Sequence, residues 1–412
     1  MVVQERPTAV IFGAGSVGRG FLGQLFSESG YEVVFVDLDE PLVAALARRG
    51  SYTLRLSGLE TVEERTVGPV RAVNGLDVEQ VAAEVARASL LATAVGARAL
   101  GAVARSIAAG LARRWTAAPT PADAATPVNV ILCENLHDAP QVLRQAVGQA
   151  LPEPLRPYLA ERVGFVPAVI ARMSPVPTPE QRAADPTLIV AEPYKVLPVD
   201  RQAFVGEIPR VVGMEPVAPF RAYVERKLYI HNAAHAMLGY LGYRQGHEYG
   251  YQALDDPWVR RRVDQALDEA GRALVAEHGL EAQALREHTL DLLARFGNRA
   301  LGDPVSRLAR DPLRKLAPED RLVGAARLAE KHAIRPAGLA WGIAAALAYD
   351  APDDPDAVEL QARLARDGLA GTLRDVCGIQ EGEPLAELVS KIVWTQMNAD
   401  ERRFAQICAG KK

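Results

Sequence analysis

Lys227, His231, Asn232 and His235 fall within one short run, Lys-Leu-Tyr-Ile-His-Asn-Ala-Ala-His, of a segment from Tyr223 to Leu241 that reads as a long, mostly buried helix. Polar groups on such a helix must be satisfied by one another or by a ligand. Their types suit hydride removal from a secondary alcohol, which needs a base for the hydroxyl proton and donors for the oxygen that becomes a carbonyl. A lysine can be the base, an asparagine a donor and a histidine an orienting partner. Helical spacing makes Asn232 and His235 one-turn neighbours and pairs Lys227 with His231; Lys227 stands about 12 Å of rise from His235 and must reach with its long stem. Plain packing inside a helical bundle is the competing reading. A third is a metal site, because His231 and His235 are spaced i, i+4 as in H-E-x-x-H zinc hydrolases. The residue after His231 is Asn232, so the glutamate base of that pattern is missing and no metal is expected. No G-x-S-x-G elbow points to a serine nucleophile.

A second constellation is Gly13-Ala14-Gly15-Ser16-Val17-Gly18, with G-x-G-x-x-G spacing. It directly follows the strand-like Val10-Ile11-Phe12 and opens a helical pattern from Ser16 to Ser29. Here Gly13 permits a tight turn, Gly15 lets backbone approach a pyrophosphate and Gly18 lets helix pack on strand, with phosphate on the free N–H groups of the helix start around Ser16 and Val17. Glu32 to Val36 reads as the next strand, closed by Asp37, whose carboxylate can accept hydrogen bonds from an adenosine ribose and would repel a 2′-phosphate. The expected cofactor is NAD rather than NADP. The alternative is that the glycines merely make a turn and Asp37 merely ends a strand.

These residues need a parallel sheet and a helical body to hold them. Further strand-like runs at Leu90 to Val95, Val128 to Cys133, Arg162 to Ile170 and Thr187 to Ala191 make the first half α/β. From Phe220 onward the pattern is helical, with amphipathic segments at Asp256 to His278, Ala282 to Phe296 and Asp320 to Ala333. The expected fold is an α/β Rossmann-type domain over residues 1–200 and an all-α domain over residues 201–412. An Ala/Pro/Thr-rich stretch between Arg114 and Asn129 reads as a surface insertion.

Composition narrows the partners. The 412 residues carry 47 Lys plus Arg against 51 Asp plus Glu, with no sustained basic run, so a nucleic-acid partner is not expected. Cys133, Cys377 and Cys408 lie far apart and fit neither a disulfide framework nor a CxxC metal site. No stretch approaches the roughly 20 apolar residues of a membrane span, and the N-terminus lacks the charged-then-apolar order of a secretory signal, so a soluble cytoplasmic protein is expected. Only 7 of the basic residues are lysines, so a lysine inside an ordered segment invites a reason specific to lysine, such as a shifted pKa.

The glycine-rich turn followed by Lys227-x4-Asn232-x2-His235 resembles the polyol-specific long-chain dehydrogenases, the mannitol dehydrogenase family. The likeness runs through Phe12-Gly-Ala-Gly-Ser-Val-Gly-Arg-Gly-Phe21, Thr93-Ala-Val-Gly96, Cys133-Glu-Asn135, Glu225-Arg-Lys-Leu228, Arg295-Phe-Gly-Asn298, Arg310-Asp-Pro-Leu-Arg-Lys-Leu316 and Asp320-Arg-Leu322. It implies a metal-free enzyme that is a monomer or weak homo-oligomer, with Lys227 as general base, Asn232 and Asn135 holding the substrate oxygen and His235 orienting. It also implies cofactor contacts at Thr93 and Val95 and substrate contacts at Arg307 and Lys315. Where family members usually carry Asp-Arg before a Pro-containing loop, this chain has Ala171-Arg172-Met-Ser-Pro175, which leaves the polyol open. The expected reaction interconverts a sugar alcohol phosphate and a ketose phosphate, mannitol 1-phosphate and fructose 6-phosphate, in a cleft between the domains. The alternatives are an unphosphorylated polyol or a hexonate as substrate, and a non-catalytic NAD-binding regulatory protein. Arg307, Arg310, Arg314, Lys315 and Arg321 crowd one stretch, where Arg314 or a neighbour would hold the phosphate; pairing with Asp303, Asp311, Glu319 and Asp320 as a solvated face is the other reading.

Overall fold

The computed structural model of the chain describes residues 6–96, 98–117, 126–136, 138–175, 177–393 and 395. The core of the expected Ala/Pro-rich insertion, residues 118–125, lies outside the described residues, as does Cys408. The chain divides into two compact units, Met1–Arg221 and Ala222–Lys412. The division falls later than residue 200 because strand β10 (Leu197–Asp200) pairs with β11 (Met214–Val217), which keeps the intervening chain in the first unit.

In the first unit, β1 (Thr8–Phe12), β2 (Glu32–Asp37), β5 (Val70–Asn74), β6 (Leu90–Thr93), β7 (Val128–Leu132) and β8 (Val163–Pro167) form a parallel sheet in the order β5-β2-β1-β6-β7-β8. The helices that cross between them include α1 (Gly23–Glu28), α2 (Glu40–Arg49), α3 (Val78–Arg87), α4 (Leu100–Thr116), α5 (Ala139–Ala150) and α6 (Arg156–Arg162). Strand residues alternate faces. Ile11, Val33, Phe35 and Ile131 join Phe21, Leu25 and Tyr52 in one core, while Val10, Phe12, Val34, Leu91 and Val130 meet Val85, Ile107, Leu111 and Leu143 in the other. Each such side chain stabilises the fold by about 1.5–3 kcal/mol on burial, and a sheet covered on both faces explains the unbroken apolar runs. The order reverses between β1 and β6, so a crevice opens at their carboxyl ends, where open α/β sheets bind ligands.

Two further strands escape periodicity arguments. β3 (Tyr52–Ser57) and β4 (Val62–Val67) pair antiparallel, and β9 (Ile189–Ala191), which follows the short helix α7 (Pro179–Ala184), adds to β3 in a small second sheet. β4 is an edge strand reading Val-Glu-Glu-Arg-Thr-Val, mostly exposed, and its charges suit an edge that must not pair further. The run from Thr187 to Ala191 is therefore a strand, but of this second sheet.

The described part of the second unit is helical. α8 (Phe220–Arg226), a π-helical turn (Lys227–Asn232) and α9 (Ala233–Gln245) follow without a break. They are succeeded by α10 (Gly250–Asp255), α11 (Pro257–His278), α12 (Ala282–Phe296), α13 (Val305–Ala309), α14 (Pro312–Lys315), α15 (Val323–Lys331), α16 (Ala337–Leu347) and α17 (Pro355–Cys377). Asp256 caps α11 by accepting the N–H groups of Trp258 and Val259. Buried Glu269 accepts the N–H groups of Gly338 and Leu339 at the start of α16, at 2.8–3.1 Å. Among the described residues no helix is long and apolar enough to cross a membrane.

Candidate active site

The glycine-rich turn is built as its spacing requires. Gly13 has φ +97°, and a Cβ there would lie 2.4 Å from the Ala94 carbonyl oxygen; a Cβ on Gly18 would lie 1.9 Å from that of Gly13. Both glycines are held by close packing. Gly15 differs, since nothing lies within 4 Å of where its Cβ would point. The turn thus presents exposed backbone at Gly15, flanked by half-buried Ser16 and Val17, which fits the close approach of a dinucleotide pyrophosphate. Asp37, half-buried at the end of β2, accepts the Ala14 N–H at 2.6 Å through Oδ2 and the Asp39 N–H at 3.0 Å through Oδ1. An ionised carboxylate has lone pairs beyond these two for a ribose hydroxyl.

Two expected cofactor contacts take different places. Thr93 is fully buried at the end of β6 opposite Phe12, its hydroxyl lacks a hydrogen-bond partner and its carbonyl accepts the Cys133 N–H. The Val95 side chain faces Gly13. The Val95 N–H donates to Glu134 Oε1 at 3.0 Å and the Gly96 N–H to Oε2 at 2.8 Å. Glu134 therefore shapes this loop, a role hidden in the Cys133-Glu-Asn135 motif. Asn135 is exposed on the loop after β7.

The helix that follows the glycines opens as a π turn, Gly18–Leu22: the Leu22 N–H donates to Val17 O at 3.0 Å, an i→i+5 bond. The candidate helix of the second unit has the same feature at Lys227–Asn232, where the Ala233 N–H reaches Leu228 O. An α-helix sets residues five apart about 140° from each other; the wider π turn brings Lys227 and Asn232 toward one line. Lys227, Asn232 and His235 are half-buried, His231 is buried.

The histidines meet an aromatic wall. The His235 ring stacks on Phe296, with centroids 4.0 Å apart and planes at 26°. His231 stands edge-on to both, 4.8 Å from His235 and 5.3 Å from Phe296. Burial pushes both imidazoles well below the ordinary histidine pKa; His235 and Lys227 add to this at His231, and Arg307, Lys315, Arg321 and Arg295 add to it at His235. Both rings are neutral at pH 7. Burial, then Arg226 and Arg295, takes His288 down to about 4. The rings therefore add no charge of their own to this cluster. Among the described residues no group of three or more His, Cys, Asp or Glu side chains converges as a metal site would.

The basic stretch is gathered by a turn. α13 ends at Ala309, Asp311 adopts the left-handed region at φ 61°, and Pro312 begins α14. A Cβ on Gly239 of α9 would lie 2.6 Å from the Ala309 nitrogen, so that glycine lets α13 press against the candidate helix. Exposed Arg307 pairs with Asp303, Arg314 with Asp311 at 3.3 Å and Arg321 with Asp320 at 2.6 Å. Lys315 differs: it is 5% exposed and donates from Nζ to the Leu308 carbonyl at 2.5 Å. Burial, with Arg321 and Arg314, lowers it to about 7. Arg295, Phe296 and Arg321 join the expected residues here; the first two were visible only as part of the Arg295-Phe-Gly-Asn298 motif.

Arg172, which follows the alanine where the family usually carries aspartate, is buried in the first unit. It donates from Nε to Glu192 O at 2.6 Å and from Nη1 to Gln24 Oε1 at 2.8 Å.

Residues 7–213 match the mannitol dehydrogenase Rossmann domain and residues 220–409 the mannitol dehydrogenase C-terminal domain. The chain belongs to the mannitol dehydrogenase family. It is accordingly an enzyme of the NAD-dependent polyol dehydrogenase class. It is 39% identical over 382 residues to mannitol-1-phosphate 5-dehydrogenase of Bacillus licheniformis, covering 92% of this chain and 98% of that protein. To the Bacillus subtilis protein of the same name it is 38% identical over 384 residues, covering 93% and 98%. The fold is also that of Pseudomonas fluorescens mannitol 2-dehydrogenase, solved as a ternary complex with NAD and D-mannitol, with a TM-score of 0.74 at 17% identity, covering 100% of this chain and 96% of that one. A substrate-free D-sorbitol dehydrogenase gives a TM-score of 0.77 at 19% identity, covering 96% and 94%.

Proposed function

We propose that this enzyme interconverts a polyol phosphate and a ketose phosphate, mannitol 1-phosphate and fructose 6-phosphate, with Lys227 as general base. The observation that supports the phosphorylated substrate is the gathering of Arg307, Arg310, Arg314 and Lys315 by the turn between α13 and α14. The relatives named mannitol-1-phosphate 5-dehydrogenase support the same reading.

In the direction of oxidation, Lys227 Nζ takes the proton of the substrate hydroxyl. Asn232 and Asn135 donate to its oxygen as it becomes a carbonyl, and His235, fixed by its stack on Phe296, orients the hydroxyl through a ring nitrogen. NAD, when bound, supplies the hydride acceptor. Gly13, Gly15, Ser16, Val17 and Gly18 would hold its pyrophosphate and Asp37 its adenosine ribose. Arg307, Arg314 and Lys315 would bind the rest of the substrate, with guanidinium forks suited to phosphate. The enzyme is placed in the cytoplasm, as a monomer or weak homo-oligomer.

The test is NADH oxidation at equal concentrations of fructose 6-phosphate, fructose and fructuronate. Turnover should be greatest with fructose 6-phosphate. Preference for fructose or fructuronate would replace the phosphorylated substrate with an unphosphorylated polyol or a hexonate; no turnover on any of the three would refute the proposed substrate.

A further inference from the structure

The first unit buries an arginine directly beneath the glycine-rich turn. Arg19 is 7% exposed and lies one residue beyond Gly18. Its Nε donates to the Ala14 carbonyl at 2.5 Å and its Nη1 to the Thr187 carbonyl at 2.6 Å, while its own carbonyl accepts the hydroxyl of buried Tyr52 at 2.6 Å. Among the described residues it forms no ion pair, so a guanidinium sits in the interior bonded only to main-chain oxygens. A buried charge of this kind is costly unless something compensates it. For a fold that merely needed to fill the space, an apolar side chain would do better.

We propose that Arg19 is the positioning residue of the dinucleotide turn, holding the Ala14 carbonyl and placing a fixed positive charge under the backbone that receives the pyrophosphate. The proposal rests on the NAD-binding reading of this turn. Ala14 is held from both sides: its N–H donates to Asp37 Oδ2 at 2.6 Å and its C=O accepts from Arg19. The peptide whose oxygen Arg19 grips carries the N–H of Gly15, the glycine with open space in front of it. Hydrogen bonds in series polarise one another, so a cation on that oxygen makes the Gly15 N–H a better donor to an anion. The second anchor ties the turn to a rigid support, because Thr187 is 2% exposed and donates from both N and Oγ1 to Asp185, which in turn pairs with Arg49 at 2.8 Å.

The test compares ligands with and without the pyrophosphate on the intact enzyme. Wild type, Arg19→Met and Arg19→Lys are titrated with NADH, ADP-ribose and adenosine, and circular dichroism checks folding. Loss of a charged donor should weaken NADH and ADP-ribose roughly ten- to hundredfold in Arg19→Met, leave adenosine unchanged, and raise the KM for NADH more than it lowers kcat. Arg19→Lys keeps the charge without the two-point fork and should lie between. Equal weakening of adenosine and ADP-ribose, or ADP-ribose binding as in wild type, would overturn the proposal. If Arg19→Met does not fold, Arg19→Lys decides alone: unchanged ADP-ribose affinity refutes the two-point anchor. Failure of the wild type to bind NADH or ADP-ribose would refute the underlying reading instead.

Discussion

Replacing Asp37 probes the cofactor site most directly, because its two oxygens already have work inside the protein. Oδ2 accepts the N–H of fully buried Ala14 and Oδ1 that of Asp39. Asp37→Asn keeps an acceptor for Ala14 but loses the charge. The lost charge-assisted bond to the ribose is worth about 1.5–3 kcal/mol, or roughly a ten- to hundredfold weaker NAD. Without the negative charge a 2′-phosphate is no longer repelled, so NADP should improve relative to NAD. Asp37→Ala also orphans the Ala14 N–H, which adds about 1–3 kcal/mol of destabilisation and should lower Tm where Asp37→Asn does not. The assay is kcat/KM for both cofactors, read as a ratio, with thermal unfolding alongside. If the NAD/NADP ratio of Asp37→Asn equals that of the wild type, the ribose is read elsewhere; equal Tm for Asp37→Ala and wild type would show that Ala14 does not depend on this carboxylate.

Lys227→Met keeps the stem but removes the base, and should cut turnover by about 10²–10⁴ while NADH titration shows unchanged affinity. Arg307→Ala should raise KM for fructose 6-phosphate about tenfold or more with little change for fructose or NADH; because Arg307 already pairs with Asp303, equal loss on both sugars would put it at the polyol instead. Lys315 should set a pH dependence of stability: its folded pKa is about 7 against an ordinary 10.5. The unfolded chain therefore binds more protons between those values, so stability should climb from pH 7 toward pH 10 by at most about 1.4 kcal/mol per pH unit. Urea titrations should show that rise in the wild type and a flatter profile in Lys315→Met.

The parallel sheet and the helical second unit were legible because buried parallel strands and amphipathic helices each leave a period in the sequence. The G-x-G-x-x-G turn was legible from its setting between strand and helix. The small sheet was not, since β4 carries Glu63, Glu64 and Arg65 on an exposed edge and offers no buried face to read. The boundary near residue 200 came from a change of pattern, whereas the actual division depends on the pairing of β10 with β11, a contact between short strands. Lys227, Asn232 and His235 could be placed on one continuous helix, but α-helical geometry misjudged the angle between Lys227 and Asn232 because a π turn cannot be seen in periodicity. Glu134 and Arg19 were missed as contributors because their work is done on backbone groups: one holds the N–H groups of Val95 and Gly96, the other the carbonyl of Ala14.

Both helices that carry candidate site residues contain a π turn, one directly after the glycine-rich turn and one across Lys227 to Asn232. Such a turn gives up regular α-helical hydrogen bonding, and it persists where neighbours hold it. In the first unit the support is Arg19, in the turn itself, fastened to Ala14 and Thr187, and Tyr52, whose hydroxyl bonds the carbonyl of Arg19. In the second it is His231, inside the turn, packed edge to face against His235, which lies three residues beyond the turn and stacks on Phe296. The aromatic contacts need no charge, and burial among cations keeps both rings neutral. A charged imidazole there would bring a third kind of cation to a place already crowded with arginine and lysine. Neutral rings add no further charge, so the packing that steadies the π turn is compatible with the anionic substrate proposed for this enzyme.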